Sequence, residues 1–331
     1  MDNDLNHKEI NRRNFMTRSA KAGLSIIAAC SLGYGFYDPT GPAKYKKNQE
    51  ITHFPDYSVN AAGDQFCVVN GKERIKTIQL ALKALGGIET FIKKGDKVLL
   101  KVNAAFASPA ILSATTNPEL VGEITRLCFK AGASSVVVAD NPINDPAICF
   151  TLTGITQAAE SVGARVVLPK KKFFKPTTIQ GAELIVDWPV FYKPLQNINK
   201  VIGITPVKDH HRSGASMTMK NWYGLLGGRR NIFHQDINNI IKELAMMIKP
   251  TLVVLDGTTT MITNGPTGGS ISDLKETNCM IVSTDQVAAD AFGATLLGKT
   301  WRDLPFISKA QAKEVGTANY KTLKPGMISS G

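Results

Sequence analysis

KVLLKVNAAFASPAILSATTNPELVGEITRLCFKAGASSVVVAD, residues 97–140, decides the fold. Lys97–Val102 is a short apolar run bounded by lysines and reads as a strand ending at Asn103. A loop of small residues, Ala104 to Thr115, follows. Asn117-Pro118-Glu119 then has the chemistry of a helix start: an Asn cap, Pro at the first helical position, and an acid in the first turn. Leu120, Ile124, Leu127 and Cys128 recur at helical spacing, and Gly132 follows the expected end. Val136–Ala139 has no polar alternation, as in a strand covered on both faces within a parallel sheet. Strand, helix and strand in this order predict a βαβ unit.

The rhythm extends outward in both directions. Glu73–Leu85 is a helical stripe closed by Gly86-Gly87, and Gly154–Val162 is a further helix. Further strands are expected at Arg165–Leu168, Glu183–Val190, Val201–Val207, Thr251–Leu255 and Met280–Ser283. Further helices are expected at about 217–226, 237–248 and 285–297. Lys170–Thr178 breaks the pattern as a loop. The expected class is α/β, a mostly parallel sheet flanked by helices on both faces, as one domain over residues 63–316 with a C-terminal tail at 317–331.

The N-terminus reads as an address. Arg12, Arg13 and Phe15 resemble a twin-arginine export signal, and the weakly apolar run Ala20–Gly33 completes a signal segment over residues 1–33. That run is short for a bilayer span and rich in Ala, Gly and Ser. Ile27–Cys30 resembles a lipobox, which makes Cys30 a candidate for acylation or, equally, a small residue of the signal. The chain is therefore expected to be exported by the twin-arginine machinery to the periplasm or cell envelope. It would be tethered there if the signal segment or an acylated Cys30 holds it. Residues 34–62, rich in Pro, Gly, Lys and Asn, read as a linker.

Lys and Arg number 39 against 27 Asp and Glu, a formal charge of +12 that favours an anionic partner. No aromatic-interleaved basic repeat accompanies the charge, so nucleic acid is not expected. The five cysteines form no CxxC pair, which removes the usual spacing of an iron–sulfur or Cys-rich zinc site. Neither GxxxxGK[ST] nor GxGxxG after a strand is present.

Polar chemistry concentrates in Lys208–His234, which holds three of the five histidines. Ligands of open α/β sheets sit beyond the carboxyl ends of strands. On that rule Asn103, Lys208, Lys220, Asn221 and Arg229 are candidates to bind a small anion. His211 and His234 are the candidate acid/base groups, and His210 with Asp256 is a candidate pair for a divalent metal. Asp140 and Asp256 equally suit turn caps, and adjacent histidines on extended backbone would face opposite ways. Asn264–Gly269 is a second glycine loop that could close over a ligand.

GDKVLLKVN, TTNPELV, AGASSVVVAD, MTMKNWYGLLGGRRNIFH, VVLDG, NGPTGG and STDQVAADAFGATLLG together resemble family 362 of the domains of unknown function, from about Lys72 to Gly316. The resemblance implies a basic α/β body. Some members carry ferredoxin-like cysteine modules, which this chain lacks. It implies no reaction, so two expectations stand. One is an enzyme acting on a small anionic substrate. The other is an accessory protein delivering a ligand to an exported redox complex.

Overall fold

The computed structural model describes residues 11–35, 50–59, 63 and 65–330. The chain divides into two compact units. The first contains the helix α1 (Arg12–Gly35), whose side chains are all exposed or partly exposed. Arg12, Arg13, Phe15 and Cys30 lie on it, with Cys30 an exposed free thiol. Among the described residues, no helix is long and apolar enough to cross a membrane. Of the expected signal and linker, residues 1–10, 36–49 and 60–62 lie outside the described residues.

The second unit is the sheet and its helices. Its strands are β1 (Phe66–Asn70), β2 (Lys97–Lys101), β3 (Ser135–Ala139), β4 (Arg165–Val167), β5 (Phe174–Thr177), β6 (Trp188–Phe191), β7 (Lys200–Lys208), β8 (Leu252–Met261), β9 (Leu274–Ser283) and β10 (Gly326–Ser329). Eight of them form one sheet in the order β10-β1-β9-β8-β7-β2-β3-β4, while β5 and β6 pair separately. Among the described strands of the large sheet, β9 runs against the rest. The sheet is therefore mostly parallel, as expected from Val136–Ala139.

Both faces are covered. Strand residues alternate between them: Val98 and Leu100 face one core, Leu99 the other. The first core is closed by α2 (Arg74–Ala84), α3 (Pro118–Lys130) and α5 (Ile155–Glu160), the last preceded by the short α4 (Pro146–Leu152). The second holds α7 (Ile237–Met247), α8 (Gln286–Leu296) and α9 (Pro305–Ala312), and the four-residue α6 (Thr218–Asn221) packs there. Asn117 caps α3 by accepting from the N–H of Glu119, as its sequence predicts.

The chain runs from β2 outward to β3 and β4, then returns to place β7 on the other side of β2. The gap between β2 and β7 is the point where strand order reverses. The carboxyl ends of β2, β3 and β7 share one rim there, where ligands of such sheets bind.

Several expectations change. Glu183–Val190 is not one strand, because the N–H groups of Glu183, Leu184 and Ile185 bind the buried Glu243 carboxylate at 2.9, 3.0 and 2.9 Å instead of a ladder. The helix expected over 217–226 is α6 followed by a tighter 3₁₀ turn at Trp222–Leu225. Lys170–Thr178 is not wholly loop, since it supplies β5. Residues 317–331 contain β10, which pairs with β1 and is the sheet's edge. At the other end, the linker's described part joins the body: Tyr57 is buried and its N–H donates to the Lys249 carbonyl at 3.1 Å.

Candidate functional site

A cavity of about 80 Å³ opens at the rim between β2, β3 and β7. At roughly 10–15 Å³ per water centre, it suits a handful of waters or one small molecule. A wider hollow of about 470 Å³ adjoins it, sharing Asn141, Ile143, Tyr223, Arg230 and His234 with its wall.

The roof is the segment from α6 to Arg230, and buried polar ties hold it down. The Asp290 carboxylate of α8 accepts from the N–H groups of Thr218 and Met219 at 2.7 and 3.1 Å, which starts α6. The Trp222 indole N–H donates to Gln286 Oε1 at 2.6 Å, and its ring packs where Gly203 leaves space. Asn221 donates to the Lys101 and Ile204 carbonyls at 3.0 and 3.4 Å, tying the end of β2 to the middle of β7. Asn221, expected to bind an anion, lines the cavity with its amide committed to the backbone.

Lys101 is fully buried at the end of β2. Its ammonium pairs with Asp140 Oδ1 at 2.8 Å and donates to the Val102 carbonyl and Asn221 Oδ1 at 2.6 and 3.2 Å. Burial pulls its pKa down, against the upward pull of Asp140. Asp140 also accepts from the N–H groups of Ala104 and Asn141 at 2.6 and 2.9 Å. This close packing needs a glycine: a Cβ on Gly224 would stand 1.8 Å from Asp140 Oδ1. Arg230 is the other staple, donating to the carbonyls of Tyr223, Leu226, Asn141 and Pro142 at 2.7–3.2 Å. Arg229, the expected anion binder, is exposed and lines none of this cavity. A 3₁₀ turn begins at Arg230 and directs that side chain inward instead.

The remaining cations are less occupied. Lys208, at the end of β7, is 1% exposed and donates to the Ala114 carbonyl at 2.6 Å. Burial, with Lys220 nearby, brings its pKa down to about 7. Lys220 comes from α6. Its ammonium lies 5.1 Å from the centre of the Tyr223 ring and has no hydrogen bond or ion pair among the described residues. Burial and the Arg230 charge lower it to about 8. Asn103 lies on the same wall.

The histidines form a stack. The rings of His210 and His211 lie 5.0 Å apart and nearly parallel, and those of His210 and His234 lie 5.8 Å apart. The extended reading would have separated His210 from His211. A turn intervenes, closed by Gly214 N–H donating to the His210 carbonyl at 2.7 Å. His210 Nδ1 accepts from the N–H groups of Arg212 and Ser213, both at 3.2 Å. Two donors at one nitrogen fix its tautomer, so Nε2 carries the proton. Burial and Lys220 depress its pKa to about 2, which keeps the ring neutral. His234 is set the other way. Its Nδ1 faces the Asn231 carbonyl and the Tyr223 hydroxyl, each at 3.2 Å, while that hydroxyl donates to the Arg230 carbonyl. Nδ1 is then the donor and Nε2 keeps a lone pair. Burial and Lys220 lower the His234 pKa as well. His211 is exposed at the outer end of the stack, with Nδ1 3.4 Å from the Gly265 carbonyl. The Asn264–Gly269 loop does reach the cavity, through Pro266.

The expected metal pair is not brought together. Asp256 lies inside β8, which continues past Leu255 to Met261, so it is not at a strand end. Its carboxylate accepts from Arg74 Nε at 2.8 Å and from the Thr258 N–H at 2.9 Å, and it lines none of the cavity. His210 would have to move its proton to Nδ1, against two N–H groups, to offer Nε2 to a cation. Among the described residues, no group of three His, Cys, Asp or Glu side chains is placed to hold a metal.

Lys101, Tyr223 and Arg230 were not legible as site residues. Lys101 left one trace, a lysine inside a run whose other members are apolar.

The chain is 27% identical over 229 residues to a thylakoid-associated protein of Synechocystis sp., covering 65% of this chain and 67% of that one. Two solved structures are more distant. The lactate racemase apoprotein of Thermoanaerobacterium thermosaccharolyticum is 12% identical, with a TM-score of 0.40 over 75% of this chain and 60% of that one. A Thermotoga maritima protein is 14% identical, with a TM-score of 0.34 over 58% and 52%. At these scores neither bears on function. The family model for the domain of unknown function DUF362 matches residues 98–295, the stretch that builds the rim, the roof and the histidine stack, and the chain belongs to that family.

Proposed function

We propose that this protein binds a small carboxylate or phosphate-like anion in the β2–β3–β7 cavity and acts on it by proton transfer. One observation carries the reading: Lys208, Lys220 and Arg230 line the cavity, and its single lining carboxylate, Asp140, is already paired with Lys101 buried behind the wall. Lys101 and Arg230 are bound to protein acceptors and supply field. Lys208 and Lys220 retain donors for a ligand, and Asn103 adds an amide. His210 offers an N–H to a developing oxyanion. His234 offers a lone pair as general base and remains neutral at pH 7. A divalent metal is not needed for this chemistry, and His210 is a poor ligand in the tautomer its neighbours impose.

The twin-arginine-like segment supports export of the folded protein, and the thylakoid-associated relative supports a membrane-side address. The reading includes the translocation machinery as a transient partner and no nucleic acid. The competing reading, an accessory protein of an exported redox complex, shares the cavity and lacks turnover.

Thermal melts with malonate, oxalate, oxamate and inorganic phosphate test the anion site, because a ligand that binds the folded state alone raises Tm. Stabilisation that disappears in Lys220→Met supports the reading. No shift with any of the four at millimolar concentration removes it. Export is tested separately by fusing residues 1–62 to a reporter, with Arg12 and Arg13 both changed to Lys. Unaltered periplasmic delivery of that fusion would remove the twin-arginine assignment.

A further inference from the structure

Two lysines line the cavity and a third, Lys101, lies buried behind its wall, and the protein occupies them unequally. Lys101 has two neutral acceptors and a counter-charge. Lys208 has the Ala114 carbonyl. Lys220 has the face of Tyr223 and no acceptor among the described residues. An ammonium held for structure or salt would be matched with a carboxylate or carbonyl, as Lys101 is. An amine kept for bond formation must have its nitrogen unoccupied and its charge disfavoured. The Lys220 site does both, through burial and through the Arg230 guanidinium beside it.

We propose that Lys220 is an amine nucleophile that condenses with a small 2-oxo acid to form an imine. The inference rests on the anion-site reading and names the substrate class of that site. The carboxylate of such a compound answers the cationic wall at Lys208, and a few carbons fill a cavity of about 80 Å³. The neutral Lys220 nitrogen forms the N–C bond while the carbonyl π pair moves to oxygen. That oxygen takes a proton from solvent water, and His210, on the same wall, would hydrogen-bond it through Nε2–H. The nitrogen gives one proton to His234 Nε2, leaving a carbinolamine. His234 hands that proton on to the hydroxyl oxygen, and return of the nitrogen lone pair expels water and leaves a protonated C=N. One amine, one carbonyl and one proton thus give one iminium and one water, with no oxidant or reductant. A protonated C=N draws electrons from the neighbouring carbon, and His234 is the base beside it.

The test uses the full chain, pyruvate as the carbonyl probe and borohydride to fix any C=N, followed by peptide mass spectrometry. The expected result is a reduced pyruvyl group on Lys220, saturable in pyruvate and suppressed by malonate. Lys220→Arg, which keeps the charge, is expected to melt like the parent in the absence of ligand and to form no adduct at position 220 or 208. Malonate has no ketone and reports the anion site alone. If malonate raises Tm and pyruvate leaves Lys220 unmodified, the imine is refuted and the anion site stands. If neither compound raises Tm and no adduct forms, both readings fall. Adducts confined to surface lysines, or placed on Lys208, also overturn the assignment.

Discussion

Replacing Lys208 with methionine should make the unliganded protein more stable. The Lys208 side chain is 1% exposed, and its pKa falls from 10.5 to about 7. Each unit is worth about 1.4 kcal/mol, so at pH 7 the buried ammonium costs about 4 kcal/mol relative to the same group in the unfolded chain. Methionine keeps much of the volume and removes that cost. It also strands the Ala114 carbonyl, which loses its 2.6 Å donor at a cost of about 1–3 kcal/mol. The net expectation is a gain of about 2 kcal/mol, or roughly 4–8 °C in Tm for a domain of this size. The pH dependence is a second signature. Between the folded value near 7 and the unfolded value of 10.5, the folded state binds fewer protons than the unfolded one. The parent's stability therefore rises with pH across that window. From pH 7 to pH 9 the advantage of Lys208→Met should shrink by about 2 kcal/mol. Urea denaturation of both proteins at the two pH values measures this. A variant less stable than the parent at pH 7, or a difference that does not change with pH, would refute the claim that Lys208 is held against its own solvation.

The other residues give predictions of opposite sign. Asp140→Asn removes the counter-charge of a fully buried Lys101 and should cost about 3–5 kcal/mol in urea unfolding, because an unpaired charge is left behind. Gly224→Ala would set a methyl 1.8 Å from Asp140 Oδ1 and 2.8 Å from Lys101 Nζ. It should destabilise by about 1–3 kcal/mol and abolish malonate stabilisation, read in the same melts. Malonate stabilisation itself should be largest at pH 7 and below. It should fade toward pH 9 as Lys208 and Lys220 lose protons near 7 and 8, and a shift that grows with pH would exclude them as its ligands.

How much of this was legible follows from what each element depends on. Val136–Ala139 and the Asn117 cap were readable because a strand covered on both faces and a helix start are local chemistry. The order of the strands was not, since it depends on which crossover returns to β2. Thr284 and Asp285 follow an apolar strand just as Asp140 does, but β9 runs antiparallel to its neighbours β1 and β8 and delivers them to the opposite rim. There Asp285 caps α8 through the N–H groups of Val287 and Ala288. Asp256 looked like a strand end because Gly257 follows it, yet β8 continues through a bulge to Met261. Arg229 and Arg230 are chemically identical neighbours, and the turn at Trp222–Leu225 and the 3₁₀ segment after it decide which one enters the site. Lys101 was not legible beyond a lysine in the apolar run of β2, because its burial is imposed by a roof 120 residues further along the chain.

The division of labour within the cavity is the stronger argument for activity. Asp140, Lys101, Asn221 and Arg230 spend their polar atoms on the backbone and on each other, and so fix the ends of β2 and β3, the middle of β7 and the roof above them. A fold needing only a plugged rim could fill it with leucine at no desolvation cost. Instead the fixed groups surround Lys220, the Nε2–H of His210 and the Nε2 lone pair of His234, none of which has a hydrogen-bond partner among the described residues. Buried cations that repel one another are stable only when the surrounding structure holds them, and a bound anion would relieve that repulsion. The polar atoms left unmatched are thus a donor, an acceptor and an amine, set among cations whose repulsion an anionic ligand would relieve.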